Sequence, residues 1–166
     1  MTVGKEINLL RNYPQSKRDV SGRLDVKTKE DQRIAQKFGK EFFDGSRNHG
    51  YGGFSYSPRF WQPVIPTFQK HWSLTGEDSL LDIGCAKGFM LHDLKQLIPD
   101  IIVHGVDISK YAINNAKNEV KRYCKVSNAT ELPFDDKSID VCISVTTLHN
   151  LEEKDLIKAL LEIERV

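Results

Sequence analysis

The stretch LLDIGCAKGFML, Leu80 to Leu91, decides the fold. An apolar run carries an acid at Asp82, and glycines at Gly84 and Gly88 then open an amphipathic segment. This is the pattern of a buried strand, a tight turn and a helix. Glycine lets the backbone turn sharply and lets a ligand approach without meeting a β-carbon, and the turn presents unpaired amide N–H groups at a helix N-terminus.

Outward from that turn, strands and helices alternate. Ile101–Val106 (IIVHGV) and Ile139–Val145 (IDVCISV) are further continuous apolar runs, as parallel strands covered on both faces require. Met90, Leu91, Leu94, Leu97 and Ile98 recur at helical spacing up to Pro99, and Ala112, Ile113, Ala116 and Val120 do so behind Ser109, a candidate cap. Arg122–Val126 reads as a weaker third strand, and Asn150 with Glu153 as the capped start of a helix carrying Leu156, Ile157, Leu160 and Leu161. The order is βαβαβ, a turn, then βα. Right-handed crossovers make it an α/β, Rossmann-like, doubly wound and mostly parallel sheet with helices on both faces, and its ligands belong outside the carboxyl ends of the strands.

Upstream the pattern changes. Met1–Thr28 is polar and aperiodic, so the arm is expected to be loosely ordered or to pack late. Thr28 and Asp31 resemble a capping box, and Ile34, Ala35, Phe38 and Phe42 share one helical face, which predicts a helix over Lys29–Phe43. Gly45–Ser57 (GSRNHGYGGFSYS) is too glycine-rich for a regular element; Pro58 starts an apolar segment that Pro63 and Pro66 interrupt. The expected division is an arm with a helical, aromatic cap over residues 1–76 and a ligand-binding portion over 77–166. Tyr51, Phe54, Tyr56, Phe60 and Trp61 suit either core and loop packing or a lid.

Composition narrows the function. With 166 residues, 39% hydrophobic and 28% charged, the chain suits one globular domain with one core. A net charge of +1 with interspersed signs leaves no footprint for nucleic acid. No apolar run approaches the roughly 18 residues of a membrane span, and MTVGKEINLL has no hydrophobic signal region, so a cytoplasmic protein without a membrane partner is expected. Cys85, Cys124 and Cys142 form no Cys-x-x-Cys pair and read as reduced thiols, with no metal site.

The glycine spacing selects the cofactor. A dinucleotide Gly-x-Gly-x-x-Gly from Gly84 would need glycine where Ala86 and Phe89 stand, and phenylalanine at the third site blocks the close packing of helix on strand. Acid-x-Gly-x-Gly-x-Gly fits Asp82, Gly84 and Gly88 with Ala86 in the middle, and this resembles motif I of the class I S-adenosylmethionine-dependent methyltransferases of the type 11 kind. SNATELPF (Ser127–Phe134) is similar to that family's GDA-x-x-LPF segment, and DDKSIDVCIS followed by TTLHNLEE to its fourth strand and the loop after it. The resemblance runs from Leu80 to Val166.

The resemblance implies S-adenosylmethionine as cofactor and a small molecule as methyl acceptor. It implies that Asp107 holds the ribose hydroxyls, Ile108 packs on the adenine, and Asn128, in place of the family's acid, accepts from the adenine amine through its amide oxygen. Asp82, Gly84, Cys85, Ala86, Gly88, Ala129 and Val145 complete the implied cofactor shell. Each residue also has a plainer reading. Gly84 and Gly88 suit any tight turn, Asp107 and Asn128 are turn formers, Cys85 is small, and His149 before a helix is a packing or capping residue before it is a base. No catalytic residue is assigned.

Two other classes stay open: a nucleotide-binding oxidoreductase, against which Phe89 speaks, and a non-catalytic adenosyl-binding domain completed by a partner. The family's sheet has seven strands in the order 3-2-1-4-5-7-6, and Leu80–Val166 supplies four. The expectation is therefore the N-terminal portion of a longer protein, or a chain in need of a partner strand. Its apolar run 139–145 would then be an open edge that drives self-association.

Overall fold

A computed structural model describes residues 6–15 and 28–166. Four parallel strands, β1 (Ser79–Ile83), β2 (Ile102–Asp107), β3 (Cys124–Val126) and β4 (Val141–Ile143), form one sheet in the order β3-β2-β1-β4. All of β1 is buried, and its side chains alternate between two cores. Leu80 joins Val103, Leu91, Leu94, Ile65 and Phe68 on one face, whereas Leu81 and Ile83 join Val106, Leu132 and Val166 on the other. A strand covered on both faces has no room for polar alternation, which is why Leu80, Leu81 and Ile83 are apolar on either face and Asp82 is the exception. Asp82 lies mid-sheet, paired in register with Gly105 on β2 and Ile143 on β4.

Seven helices surround the sheet among the described residues: α1 (Lys29–Ala35), α2 (Lys40–Asp44), α3 (Pro58–Trp61), α4 (Ile65–Trp72), α5 (Phe89–Leu97), α6 (Lys110–Asn114) and α7 (Glu153–Arg165). None of them is long and apolar enough to cross a membrane. Pro58 and Pro66 stand in the first turns of α3 and α4, where a missing N–H costs nothing, and Pro63 falls in the break between them. Of the N-terminal arm, Leu9, Leu10 and Tyr13 pack against the first core, and the Asn12 amide donates to the Pro63 carbonyl at 3.1 Å. Residues 1–5 and 16–27 lie outside the described residues.

Several expected boundaries shift, some because a bond to a distant segment outcompetes the local pattern and others because a tight turn intervenes. The capping box of Thr28 and Asp31 forms, but the helix expected over Lys29–Phe43 is two, α1 and α2. Phe38 between them takes a left-handed φ of 46°, and its carbonyl accepts from the Ser109 hydroxyl instead of continuing the helix. The strand expected over Ile139–Val145 shrinks to Val141–Ile143. Asp140 turns aside to accept the N–H and hydroxyl of Ser79, and Ile139 donates its N–H to the carbonyl of Val166. The weaker strand starts at Cys124, after a tight turn at Lys121–Tyr123. The helix behind Ser109 ends at Asn114; Ala116 and Val120 are buried from an irregular turn whose Lys117 N–H bonds the Lys87 carbonyl. Asn150 is no cap for α7, because its side chain donates back to the Thr147 carbonyl at 3.0 Å and Glu152 stands at the helix start without a side-chain cap.

Ser109 does cap α6: buried, it accepts the Ala112 N–H at 3.0 Å while donating to Phe38. Ser109→Ala should therefore cost about 1–3 kcal/mol, a lost cap plus a stranded carbonyl, read as a lower midpoint in urea unfolding.

Candidate functional site

After Ile83 the backbone passes through three left-handed positions, Gly84 at φ 88°, Ala86 at 49° and Gly88 at 71°. That curl lets successive N–H groups turn back on the end of β2. Gly84 and Cys85 both donate to the Val106 carbonyl, at 2.8 and 3.0 Å, and Ala86 donates to the Asp107 carboxylate at 2.8 Å. The other Asp107 oxygen accepts the Ser109 N–H at 2.8 Å, so one side chain ties the turn to the start of α6. A β-carbon at Gly84 would run into Thr147, and one at Gly88 would stand 3.0 Å from Val120 and 3.3 Å from the Cys124 sulfur. Gly105, which the sequence reading passed over, is as constrained: a β-carbon there would lie 2.7 Å from Leu91 and 2.8 Å from the Cys85 sulfur. Its signal was a glycine in the interior of an apolar strand.

Above the turn opens a cavity of about 1100 Å³. Asp82, Gly84, Cys85 and Ala86 form its floor, Val145 and Thr146 one side, and Phe89 and Met90 of α5 another. Aromatic residues ahead of β1, among them Tyr51, Phe54, Phe60 and Trp61, supply the facing wall. Of the residues selected from sequence, Asp82, Gly84, Cys85, Ala86 and Val145 line this space. Gly88, Asp107, Ile108, Asn128 and Ala129 do not. Gly88 sits beneath, where α5 packs on Val120 and Cys124; Asp107 adjoins the floor through Ala86; Ile108 is 56% exposed. The Asn128 side-chain oxygen accepts the Thr130 N–H at 3.1 Å in a local turn, and Ala129 packs on the second core. His149 lies in a short exposed turn away from the cavity. No cluster of metal-ligating side chains occurs among the described residues, and the three cysteines are free.

Two polar clips hold the aromatic wall, and the sequence reading saw neither. Lys87, a cation inside the glycine turn, is buried; its ammonium reaches both Asp44 oxygens at 2.8 and 2.7 Å and the Phe54 carbonyl at 2.8 Å. Asp44 also accepts the Phe54 N–H and the Tyr111 hydroxyl, at 3.0 and 2.7 Å. Burial alone would raise this carboxyl, but Lys87, the Phe54 N–H and Tyr111 outweigh it and hold it at about 2. The second clip joins the Tyr56 hydroxyl and the Gln62 amide to Asp93, fully buried on α5, at 2.6 and 3.2 Å. Burial and that carboxylate push Tyr56 up to about 12.

On the cavity floor the balance is reversed. Asp82 is buried with no cation at ion-pair distance among the described residues, and burial together with the nearby Asp107 pushes it up to about 8. Asp107 is itself raised by burial, against the N–H groups of Ser109 and Ala86.

Comparison with known proteins agrees with this fold. Residues 81–166, just over half the chain, match the family model described as methyltransferase domain. An uncharacterised protein of Methanocaldococcus jannaschii is 38% identical over 89 residues, 54% of this chain and 32% of that protein. Among solved structures, a SAM-dependent methyltransferase from Aquifex aeolicus superposes with a TM-score of 0.51 at 26% identity, over 61% of this chain and 56% of its own. The MccD protein does so with a TM-score of 0.53 at 25% identity, over 61% and 46%. The chain thus spans about a third of that curated relative and about half of these structures.

Two outcomes follow from the charges. The folded protein keeps a proton on Asp82 up to about pH 8 that the unfolded chain releases near its ordinary 3.8, so Asp82 erodes stability as pH rises through that window. Asp82→Asn should accordingly raise the melting temperature relative to the parent at pH 8 and do little at pH 4, measured by differential scanning calorimetry. Asp44 has the opposite sign, stabilising above 3.8 and losing that contribution as pH falls toward 2. Lys87→Met should cost about 2 kcal/mol, between the surface and buried limits for a broken ion pair, and should speed proteolytic cleavage between Asp44 and Ser57.

Proposed function

The chain belongs to the S-adenosylmethionine-dependent methyltransferase family, and on that premise we propose that it binds S-adenosylmethionine at the Gly84–Gly88 turn and transfers its methyl group to a small-molecule acceptor in the adjoining cavity. The observation that carries the proposal is the cavity itself, floored by the turn and by an uncompensated Asp82, with the Asp107 carboxylate at the end of β2 one residue beyond its edge.

The residues fit the cofactor's chemistry. Asp82 offers a carboxyl to a cationic methionine and sulfonium end. Asp107 has lone pairs left for vicinal ribose hydroxyls after accepting the Ala86 and Ser109 N–H groups, since an ionised carboxylate has about four acceptor sites. Exposed Ile108 offers an apolar face to a purine, and Asn128 with Ala129 lies in the loop that follows β3. A dinucleotide suits the turn less well, because Phe89 stands where close helix-strand packing calls for glycine.

S-adenosylmethionine supplies an electrophilic methyl group on a positive sulfur. The chain's own tasks are then to align the acceptor and to keep water out, and the aromatic wall clipped down by Lys87 and Tyr56 does both. A general base is needed only for an acceptor atom that must lose a proton. Three free thiols suit a reducing compartment, hence the cytoplasm. A second reading, a cofactor-binding unit whose sheet another subunit extends, is favoured by the outer side of β4, unpaired among the described strands, and by exposed Ile157, Leu160 and Leu161 on α7.

Titration calorimetry tests the proposal. Saturable heat is expected with S-adenosylmethionine and with S-adenosylhomocysteine; heat with NADH alone would refute it. Affinity for the cationic donor should fall as pH drops below about 8, where Asp82 must first release its proton. Asp107→Ala should weaken binding by about 1.5–3 kcal/mol, as for hydrogen bonds to a charged group. It should also lower stability, because the Ala86 and Ser109 N–H groups lose their acceptor; Asp107→Asn, which keeps one oxygen, should lose less of both.

A further inference from the structure

The cavity is larger than one ligand needs. Small-molecule sites usually occupy about 300–1,000 Å³, and here the cavity has about 1100 Å³, with the adenosine-side residues Asp107, Ile108 and Asn128 outside it. Room for a second molecule is therefore present, and its walls have a definite chemistry. Tyr13, Tyr51, Phe54, Phe60, Trp61 and Phe89 line the space, joined ring to ring: Tyr13 meets Phe60 and Trp61 at 5.6 and 5.1 Å, and Phe54 stacks on Phe89 at 4.9 Å.

Set into these rings are two cations. Arg47 lines the cavity and donates to the Tyr51 carbonyl; Arg59 lines it with its guanidinium 4.7 Å from the centre of the Phe60 ring. Both side chains are thus laid against the wall, and both residues are exposed, so they stand at the open side. Among the described residues neither has a carboxylate at ion-pair distance, whereas Lys87 and Arg165 are each met by acids. Among the described residues the one acid on the cavity, Asp82, is at the floor and is protonated at neutral pH more than it is charged. Guanidinium groups present a planar fork that matches carboxylate and phosphate oxygens, and pre-placed forks at an apolar opening select for such a group.

We propose that the methyl acceptor is a small organic oxyanion with a flat, apolar body, its anionic head held at the cavity mouth by Arg47 and Arg59 and its body laid between the aromatic walls, with the reacting atom directed down toward the turn. This rests on the methyl-transfer reading above. In the step itself the acceptor's lone pair forms the new bond to the methyl carbon, the S–C bond breaks with its electrons going to sulfur, and any proton on the acceptor atom passes to solvent.

The experiment measures equilibrium binding of 3-phenylpropionate, its neutral amide 3-phenylpropionamide, and phenyl phosphate to the full chain by calorimetry, with S-adenosylmethionine titrated separately. Either anion should bind at least about 10-fold more tightly than the amide, the lower bound for a charge-assisted pair. Arg47→Gln and Arg59→Gln should each remove most of that advantage and leave the amide unchanged, and added salt should weaken the anions alone. The carboxylate and phosphate arms separate the two kinds of head group. Equal affinity for acid and amide, no binding of any probe, or undiminished anion binding in variants folded by circular dichroism would overturn the assignment. The two readings fail separately: S-adenosylmethionine binding without anion preference sinks only the acceptor class, and anion preference without S-adenosylmethionine binding sinks the cofactor reading.

Discussion

The architecture of the site depends on a few backbone N–H groups captured by the end of β2. Val106 accepts two of them through one carbonyl, and Asp107 accepts two more through its carboxylate, one from the turn after β1 and one from the start of α6. Parallel strands leave their carboxyl ends ragged, and unpaired N–H groups there cost free energy if buried. Here that need shapes the turn, because Gly84, Ala86 and Gly88 adopt left-handed angles that aim successive amides at the neighbouring strand. The cavity floor is thus a by-product of satisfying the sheet. A residue assigned to a ligand on sequence grounds, Asp107, is at the same time a structural acceptor.

The aromatic segment is fastened by chemistry of a different kind. Its own rings pack on one another, but what fixes them over the turn is the Lys87 ammonium against Asp44 and the Tyr56 hydroxyl against Asp93. Ion pairs with a buried partner often contribute little net stability against an apolar alternative, and in some proteins they specify arrangement. An apolar residue at 87 could bury as much surface while leaving the wall free to slide. Placing a cation within the turn makes floor and wall one unit.

Much of this was legible. Leu80–Ile83 is apolar almost throughout because both faces of β1 are covered, β2 is one residue later than its apolar run and leaves Ile102 exposed, and the sheet order is the one the family resemblance implied. The turn was legible because Gly84 and Gly88 flank it. What periodicity could not reveal were contacts between distant segments. Phe38 breaks a helix because Ser109, far along the chain, takes its carbonyl, and Asp140 leaves a strand to bond Ser79. Asn150 fails as a cap for a local reason instead, its amide bonding the Thr147 carbonyl three residues back. Lys87 and Asp44 are two charges among many in the sequence and become a pair only in three dimensions, and Arg47 and Arg59 stand out only because, among the described residues, neither has a carboxylate at ion-pair distance.

The fastening of the aromatic wall has an entropic corollary. Lys87 and Tyr56 fix that side of the cavity through bonds made when the chain folds, before any ligand arrives. The entropy of ordering the rings is therefore lost on folding and not on binding, so a guest meets a surface that is already shaped.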